Sequence, residues 1–201
     1  MPNHVSHRVM VSGDSDEMTA FEEDCFSTVE DGFDKGSMFF DFNKIIPFPK
    51  ELAGISSGFA EIDGERVDRW RNVDGVDVAI TDQDRKELVE KYGADCGYDW
   101  NVNNWGTKWN SYNFHSSYSG STSIEFVFDT AWSTPQQIFH KLTEMYPNLI
   151  FDVSCFDEGW NFAGEGFFSS KETKFNFVNA NDTLYEEVYG HEAEHEEEEE
   201  D

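Results

Sequence analysis

The chain has 201 residues, enough for one domain with a substantial apolar core. Its 42 Asp and Glu against 14 Lys and Arg give a net charge of −28; ten of these acids lie at Glu186–Asp201, which leaves −18 on residues 1–185. A field of this sign repels phosphate backbones and anionic lipid surfaces, so we expect no direct binding to nucleic acid or membrane. It favours a basic protein partner, although acidity also serves solubility alone.

The three cysteines, Cys25, Cys96 and Cys155, are far apart and form no Cys-x-x-Cys motif. This pattern predicts reduced thiols, neither a disulfide framework nor a zinc site. The N-terminus has no apolar signal core, and no run approaches the roughly 18 apolar residues that span a bilayer. We therefore expect an intracellular protein.

The N-terminal segment predicts a strand followed by a helix. Apolar and polar residues alternate over Val5–Val11, which indicates a strand with one buried face. Asp14 and Glu17 have the spacing of a capping box, and the apolar residues that follow recur at helical spacing. Met38–Phe42 is a short aromatic run that predicts a second strand.

Residues 43–121 are predicted to form a long, irregular insertion. Pro47 and Pro49 fix an extended path, and Glu51–Asp77 is rich in glycine and acids and is interpreted as loop. One helix is predicted to begin at Thr81 or Asp82 and to stop at Gly93. Its predicted buried side is Leu88, Val89 and Tyr92, and Glu87 and Lys91 are placed for an i,i+4 pair.

The C-terminal half predicts strand, helix, strand and strand. The strands are Thr122–Trp132, Leu149–Phe156 and Trp160–Phe168, and the helix between the first two begins near Pro135 and ends at Pro147. Two β-α-β halves with both helices on one face make an antiparallel α+β fold of the ferredoxin-like type. We predict one domain over residues 1–185 and an acidic, disordered tail over residues 186–201.

Five motifs, in this order, resemble the YubB-type ferredoxin-like proteins of phages and conjugative plasmids. They are Met-Pro-Asn-His-Val at 1–5, Phe-Asp-Phe-Asn-Lys-Ile-Ile-Pro at 40–47, Asn-Trp-Gly-Thr-Lys-Trp-Asn at 104–110, Phe-Asp-Thr-Ala-Trp-Ser-Thr-Pro at 128–135 and Asp-Glu-Gly-Trp-Asn-Phe-Ala-Gly-Glu at 157–165. The resemblance covers about residues 1–168. It implies a ferredoxin-like domain from a mobile element, working in the host cytoplasm, and it implies no particular reaction.

Lys108 between Trp105 and Trp109 admits two interpretations. Flat rings on either side of a lysine can clamp a base, a sugar or a cation. Large aromatic side chains more often fill core, and we favour that interpretation for both tryptophans. Glu165, in the last predicted hairpin, is the acid that a ligand site here would use.

No catalytic residue, metal site or cofactor is assigned from the sequence. His191 and His195 have the spacing of a metalloprotease helix but lie in an acidic run with no apolar face and no third ligand. Asp157, Glu158 and Glu165 could pair across a hairpin, but acids at turns are usually solvated. No nucleophile elbow, P-loop or dinucleotide fingerprint is present. The sequence therefore favours a protein that is not an enzyme.

The acids of the insertion are the predicted partner-binding residues. Carboxylates on a rigid domain can imitate the phosphates of DNA and occupy the basic groove of a nucleic-acid-binding protein. Our principal hypothesis is a phage or plasmid accessory protein that binds and inhibits a basic host protein, such as a nuclease or another nucleic-acid-binding defence complex. The alternative is a small-ligand binder or enzyme that uses Trp105–Trp109 with acids of the C-terminal hairpin. The candidate contacts are Glu61, Asp63, Glu65, Asp68, Asp74 and Asp77.

Overall fold

A computed structural model describes residues 3–32 and 35–194. It contains strands, α-helices and one 3₁₀ turn at Lys50–Leu52. The strands are β1 (His4–Gly13), β2 (Phe26–Thr28), β3 (Met38–Phe40), β4 (Ala60–Ile62), β5 (Glu65–Val67), β6 (Trp70–Val73), β7 (Val76–Ala79), β8 (Tyr112–Gly120), β9 (Ser123–Ala131), β10 (Leu149–Asp157), β11 (Ala163–Ser169) and β12 (Thr173–Val178). The helices are α1 (Ser15–Cys25), α2 (Phe42–Ile45), α3 (Asp82–Tyr92), α4 (Gly97–Asn104), α5 (Gln136–Met145) and α6 (Asp182–Tyr189).

The main sheet has six antiparallel strands in the order β12-β11-β10-β1-β9-β8. Strand β1 lies at its centre, where Val9 is opposite Val153 of β10 and Phe126 of β9. With α1 after β1 and α5 after β9, the four strands β10-β1-β9-β8 form a ferredoxin-like domain, and β11 and β12 extend it. The predicted α+β ferredoxin-like fold is confirmed.

The second strand of the motif is β8, inside the segment predicted as insertion. Met38–Phe42 does not enter the main sheet; Phe40 pairs with Phe26 in a separate two-stranded sheet. Strand β8 is an edge strand whose register shifts twice, and Asn113 at the first shift has a φ of +51°. These bulges interrupt the apolar alternation by which a strand is recognised in sequence.

Aromatic side chains fill the core between the sheet and the helices α1 and α5. Phe21 of α1 is fully buried, with its ring centroid 5.6 Å from that of Phe151 and 6.3 Å from that of Phe126. Burial of one such side chain contributes about 1.5–3 kcal/mol. Helix α1 begins as predicted, because the Asp14 carboxylate accepts hydrogen bonds from the amides of Asp16 and Glu17.

Helix α6 lies on the other face of the sheet. Its buried residues Leu184 and Val188 form a second, smaller core with Phe156 of β10 and Ala163 of β11. Residues 186–189, which we predicted to be part of the disordered tail, therefore lie in a helix. Residues 195–201 of that tail lie outside the described residues.

The insertion contains two hairpins and two helices. Residues 51–77, predicted as loop, include the hairpin β4–β5 and most of β6–β7. Helix α3 has the predicted Thr81 cap and ends at Gly93, which is left-handed. Its predicted apolar side is confirmed in part: Leu88 and Tyr92 are half-buried and pack against the main core, although no residue of α3 is fully buried. The prediction for Val89 is wrong, since that side chain is 48% exposed.

Candidate partner-binding surface

Two Asp-Gly turns build the hairpins that carry the predicted partner-binding acids. Asp63 and Gly64 have φ values of +53° and +78°, and Asp74 and Gly75 have +52° and +87°. Positive φ at both central residues is the conformation of a type I′ turn, for which Asp-Gly is a preferred dipeptide. These dipeptides, between short runs containing valine and isoleucine, are the sequence signal that our loop interpretation missed.

All six predicted acids are exposed, and the structure places them on or beside these two hairpins. Asp68 lies 3.6 Å from Arg66, and Asp77 accepts a hydrogen bond from the Asn72 amide. Within residues 3–32 and 35–194, no cationic nitrogen lies within 4.0 Å of the other four carboxylates, which are those of Glu61, Asp63, Glu65 and Asp74. The hairpins thus present carboxylates that internal ion pairs leave largely unneutralised.

A groove of about 530 Å³ separates the second hairpin from α3. We call it the insertion groove. Val78 and Ala79 of β7, with Ile80, form one apolar wall and Leu88 of α3 the other. Val76 is 63% exposed, which continues the apolar surface towards the hairpin turn. The other lining residues are charged: Glu51, Arg71, Asp84, Glu87 and Lys91.

The cation at one end of the insertion groove is already paired. Lys91 Nζ lies 2.9 Å from Glu51 Oε2, and the Tyr92 hydroxyl donates to the same oxygen. These hydrogen bonds, that from Tyr92 first, lower the pKa of Glu51, so its carboxylate is ionised at neutral pH. Lys91 therefore pairs with Glu51 and not with the predicted Glu87, whose carboxylate accepts from Gln83. Asp84, Glu87 and Arg71 remain as charged residues beside the apolar walls.

Arg69 fastens the hairpins to the rest of the insertion. Its Nε lies 2.7 Å from Asp95 and its Nη2 2.9 Å from Asp99, and Arg85 Nε lies 2.9 Å from the other oxygen of Asp95. Burial alone would raise the pKa of Asp95, but the hydrogen bonds and charges of both arginines outweigh it and the pKa is lowered. These ion pairs therefore attach the acidic hairpins to α3 and to the segment that follows it.

Asp95, Cys96 and Asp99 bring three potential ligand atoms within 4.8 Å of one another. The arginines described above already occupy both carboxylates. Burial also raises the pKa of the Cys96 thiol, so it is protonated at neutral pH. A thiolate is the form that ligates metal ions. We interpret this cluster as an ion-pair network that supports the hairpins.

The Trp segment divides between core and surface. Trp105 is buried, and its Nε1 donates to the Ile46 carbonyl at 2.9 Å, so it cannot form one side of the predicted clamp. The favoured core interpretation is thus confirmed for Trp105 and wrong for Trp109, which is 44% exposed. Lys108 Nζ lies 4.7 Å from the Trp109 ring centroid and 4.5 Å from that of Trp132. The second ring beside Lys108 is therefore Trp132, which the sequence analysis placed only at the end of a strand.

Glu165 is remote from the Trp segment in the fold. It lies opposite Ser154 on the sheet face that α6 partly covers, whereas Trp105 packs into the core on the other face. Burial, with the charges of Glu187 and Glu165, raises the pKa of neighbouring Asp152. Asp157 is buried and accepts hydrogen bonds from Asn161, and Glu158 accepts one from the His4 amide. These two acids hold a turn and form no carboxylate pair with Glu165.

The histidines at the two ends of the chain lie in very different surroundings. His191 is exposed, and His195 lies outside the described residues. His7 is fully buried, 3.3 Å from Thr134 Oγ1, which in turn donates to the Cys155 sulfur at 3.0 Å. Burial lowers the pKa of His7 to about 3 and raises that of Cys155 to about 11. This His-Thr-Cys arrangement is sealed from solvent and electrostatically unsuited to nucleophilic catalysis.

Comparison with known proteins finds a similar domain for just under half of the chain. Residues 104–201 match the ferredoxin-like domain in Api92-like protein. The fold as a whole is similar to the crystal structure of protein api92 from Yersinia pseudotuberculosis, with a TM-score of 0.51 and 8% sequence identity over 90% of this chain and 99% of that chain. At this identity the likeness shows the fold alone. No curated protein matches the sequence.

The Api92-like match covers Trp105, Lys108, Trp109 and Glu165 but begins after the two acidic hairpins of the insertion, which it does not include. In the described residues, no helix is long and apolar enough to cross a membrane.

Proposed function

We propose that this protein binds a basic protein partner through the acidic hairpins and the insertion groove, and that it thereby inhibits a nucleic-acid-handling host protein. The observation that carries the proposal is a groove with apolar walls and a charged rim, beside two hairpins whose exposed carboxylates are largely unneutralised. Such a surface fits a segment with apolar side chains on one side and Lys or Arg around them. In this proposal the protein is a YubB-type accessory protein of a phage or plasmid, acting in the host cytoplasm as an anti-defence factor.

Charge supports this proposal over direct nucleic-acid binding. A net charge of −28 repels a phosphate backbone at the distances over which encounters are steered. The same field accelerates the approach of a basic surface, and the apolar walls of the groove then supply affinity that salt does not screen. An inhibitor of this kind occupies the basic site on its target that nucleic acid would otherwise use.

The proposal is tested by capture from host lysate with matched charge variants. One variant carries Glu61→Gln, Asp63→Asn, Asp74→Asn and Asp77→Asn. The control variant has the same net charge, with exposed acids outside the insertion neutralised: Glu23→Gln, Glu30→Gln, Glu186→Gln and Glu192→Gln. We expect the wild type and the control, but not the hairpin variant, to retain a Lys- and Arg-rich protein.

Inhibition requires a second step with the captured protein. We expect the wild type to compete with nucleic acid for it, and the hairpin variant to compete at least tenfold less well, since several charge contacts are lost together. If the hairpin variant and the control variant competed equally poorly, net charge alone, and not the position of the acids, would explain the loss of competition. Capture of no basic protein, or capture without competition, would contradict the proposed function.

A further inference from the structure

The geometry points to a second binding site, an aromatic clamp that accepts a guanidinium group such as an arginine side chain. The clamp consists of Trp109, Trp132 and Tyr98, and the ammonium group of Lys108 now lies among their rings. Its Nζ lies 4.5 Å from the Trp132 centroid, 4.7 Å from that of Trp109 and 5.9 Å from that of Tyr98. The chain's own lysine thus shows that this space holds a cation.

The rings are held by the backbone around them. Trp132 has a φ of +72°, which is rare for a residue with a side chain, and its amide donates to the Asn3 carbonyl at 3.1 Å. Thr107 donates to the Ala131 carbonyl at 2.9 Å, which joins the Lys108 loop to the Trp132 turn. Asn101 donates to the Lys108 carbonyl at 2.8 Å. The clamp is therefore largely formed before any ligand arrives, which lowers the entropic cost of binding.

Lys108 is suited to leave the clamp. In the described parts of the chain, no carboxylate oxygen lies within 4.0 Å of its ammonium group, so the rings are its identified charge contacts. A cation over an exposed ring gains only a small free energy, and a lysine on a flexible stem regains hydration when it turns to solvent. A guanidinium is planar, stacks on aromatic faces and is more weakly hydrated, so it gains more from the same rings.

Exposure leaves room for this exchange. Trp109 and Trp132 are 44% and 45% exposed, so each ring presents surface to an incoming group. Tryptophan, tyrosine and arginine are the residue types enriched among the contacts that dominate protein interfaces. The inference stands without the proposed function, because it concerns a small cation and not a captured protein.

The test is a titration of wild-type protein with N-acetyl arginine amide, followed by NMR. A single side chain makes few contacts, so we expect a dissociation constant of about 1 mM or weaker. The indole resonances of Trp109 and Trp132 should shift, and the Lys108 side-chain resonances should move to their solvent-exposed positions as the ammonium group leaves. N-acetyl arginine amide and N-acetyl citrulline amide differ only in the charge of a side chain of similar shape, so the N-acetyl citrulline amide control should produce much smaller shifts than its arginine counterpart.

Variants refine the test. Lys108→Ala removes the internal competitor and should strengthen binding of N-acetyl arginine amide about two- to fivefold, and Trp109→Leu or Trp132→Leu should weaken it by about the same factor per ring. Phe59→Leu, at another exposed aromatic residue, should change nothing. Equal binding of N-acetyl citrulline amide, or Lys108 resonances that stay fixed in the wild type while N-acetyl arginine amide is added, would overturn the inference.

Discussion

The guanidinium of Arg69 forms ion pairs with Asp95 and Asp99 and so links the hairpins to the segment after α3. The pair with Asp95 is largely buried, since the side chain of Arg69 is 17% exposed and that of Asp95 is 10% exposed. Arg69→Met would leave Asp95 with Arg85 alone, and breaking part of a buried network typically destabilises a protein. We expect a loss of about 1–3 kcal/mol in the free energy of unfolding, measured by urea titration. Arg66→Met, at a side chain that is 70% exposed, is the control and should change stability by less than about 0.5 kcal/mol. Equal effects would contradict the supporting role of Arg69.

The lowered pKa of Asp95 gives this network a pH dependence. A carboxyl group whose pKa is lower in the folded state stabilises the fold above its unfolded pKa of about 3.9, and that stabilisation is lost as pH falls through the folded pKa. The wild type should therefore be more stable than Asp95→Asn at neutral pH, and the difference should shrink between about pH 5 and about pH 3. A difference that stays constant over this range would show that the charge of Asp95 is not responsible.

The cysteines allow a second measurement at the residue scale. All three are buried, and burial raises the pKa of Cys25 to about 12 and that of Cys155 to about 11. Because the thiolate is the reactive form, the native protein should react only slowly with a thiol reagent at about pH 8. The unfolded protein, as the control, should label all three at once. Rapid labelling of one thiol in the native state would indicate local opening at that site.

At the scale of elements, the Asp74-Gly75 turn sets the shape of the insertion groove. A Cβ at Gly75 would meet no heavy atom within 4 Å, so Gly75→Ala introduces no clash and its cost is the left-handed backbone itself. We expect a loss of about 1–2 kcal/mol, measured by urea titration. Gly58→Ala, at a glycine without positive φ, should be close to neutral. Equal stability of the two variants would argue against the type I′ turn.

The predicted boundary between the domain and the tail, after residue 185, lies inside helix α6. Leu184 is 4% exposed and packs against the Phe156 cluster, so Leu184→Ala should cost about 2–3 kcal/mol in the free energy of unfolding. Thr183→Ala, at an exposed position of the same helix, is the control. A Leu184 variant as stable as the control would mean that α6 contributes little to the fold.

Elements with a regular apolar period were predictable, and irregular ones were not. Strand β1 buries one face and helices α1 and α5 bury one side each in the core. Their apolar residues therefore recur every second residue in the strand and every three or four residues in the helices. Strand β8 is bulged, so its apolar alternation is interrupted. Helix α6 does carry helix signals, namely the Asn181 cap, Leu184 and Val188 four residues apart and Gly190 at its end, but we assigned its second half to the acidic tail. At the candidate surface, the acids were visible in the sequence. The groove between β7 and α3 was not, because it depends on the angle at which the hairpin and the helix that follows it pack against each other.

The aromatic clamp could not be predicted in full from the sequence, because its rings come from separate segments of the chain. Lys108 and Trp109 are adjacent in sequence and were recognised together, whereas Trp132 reaches them only through the turn after β9. Trp105 shares their motif but points into the core. The favoured core interpretation therefore holds for Trp105 but not for Trp109, and Trp132 is the second ring beside Lys108.

At the scale of the whole molecule, charge and fold act together. The chain carries −28 and should attract basic partners over about 8–10 Å at physiological salt. The apolar groove then selects among them. We therefore expect partner binding to weaken with salt without vanishing, which a titration at increasing ionic strength would measure. Binding that is lost completely at moderate salt would point to charge alone.

The most direct test of the insertion groove is NMR mapping with a synthetic basic peptide. The peptide is designed as an amphipathic helix with leucine on one side and Lys and Arg around it, and a scrambled peptide of the same composition is the control. We predict that the amphipathic peptide shifts the amide resonances of residues 71–91 and binds several-fold more tightly than the scrambled one. Equal binding of both peptides, or shifts spread over the acidic surface without a maximum at residues 71–91, would contradict a docking role for this groove.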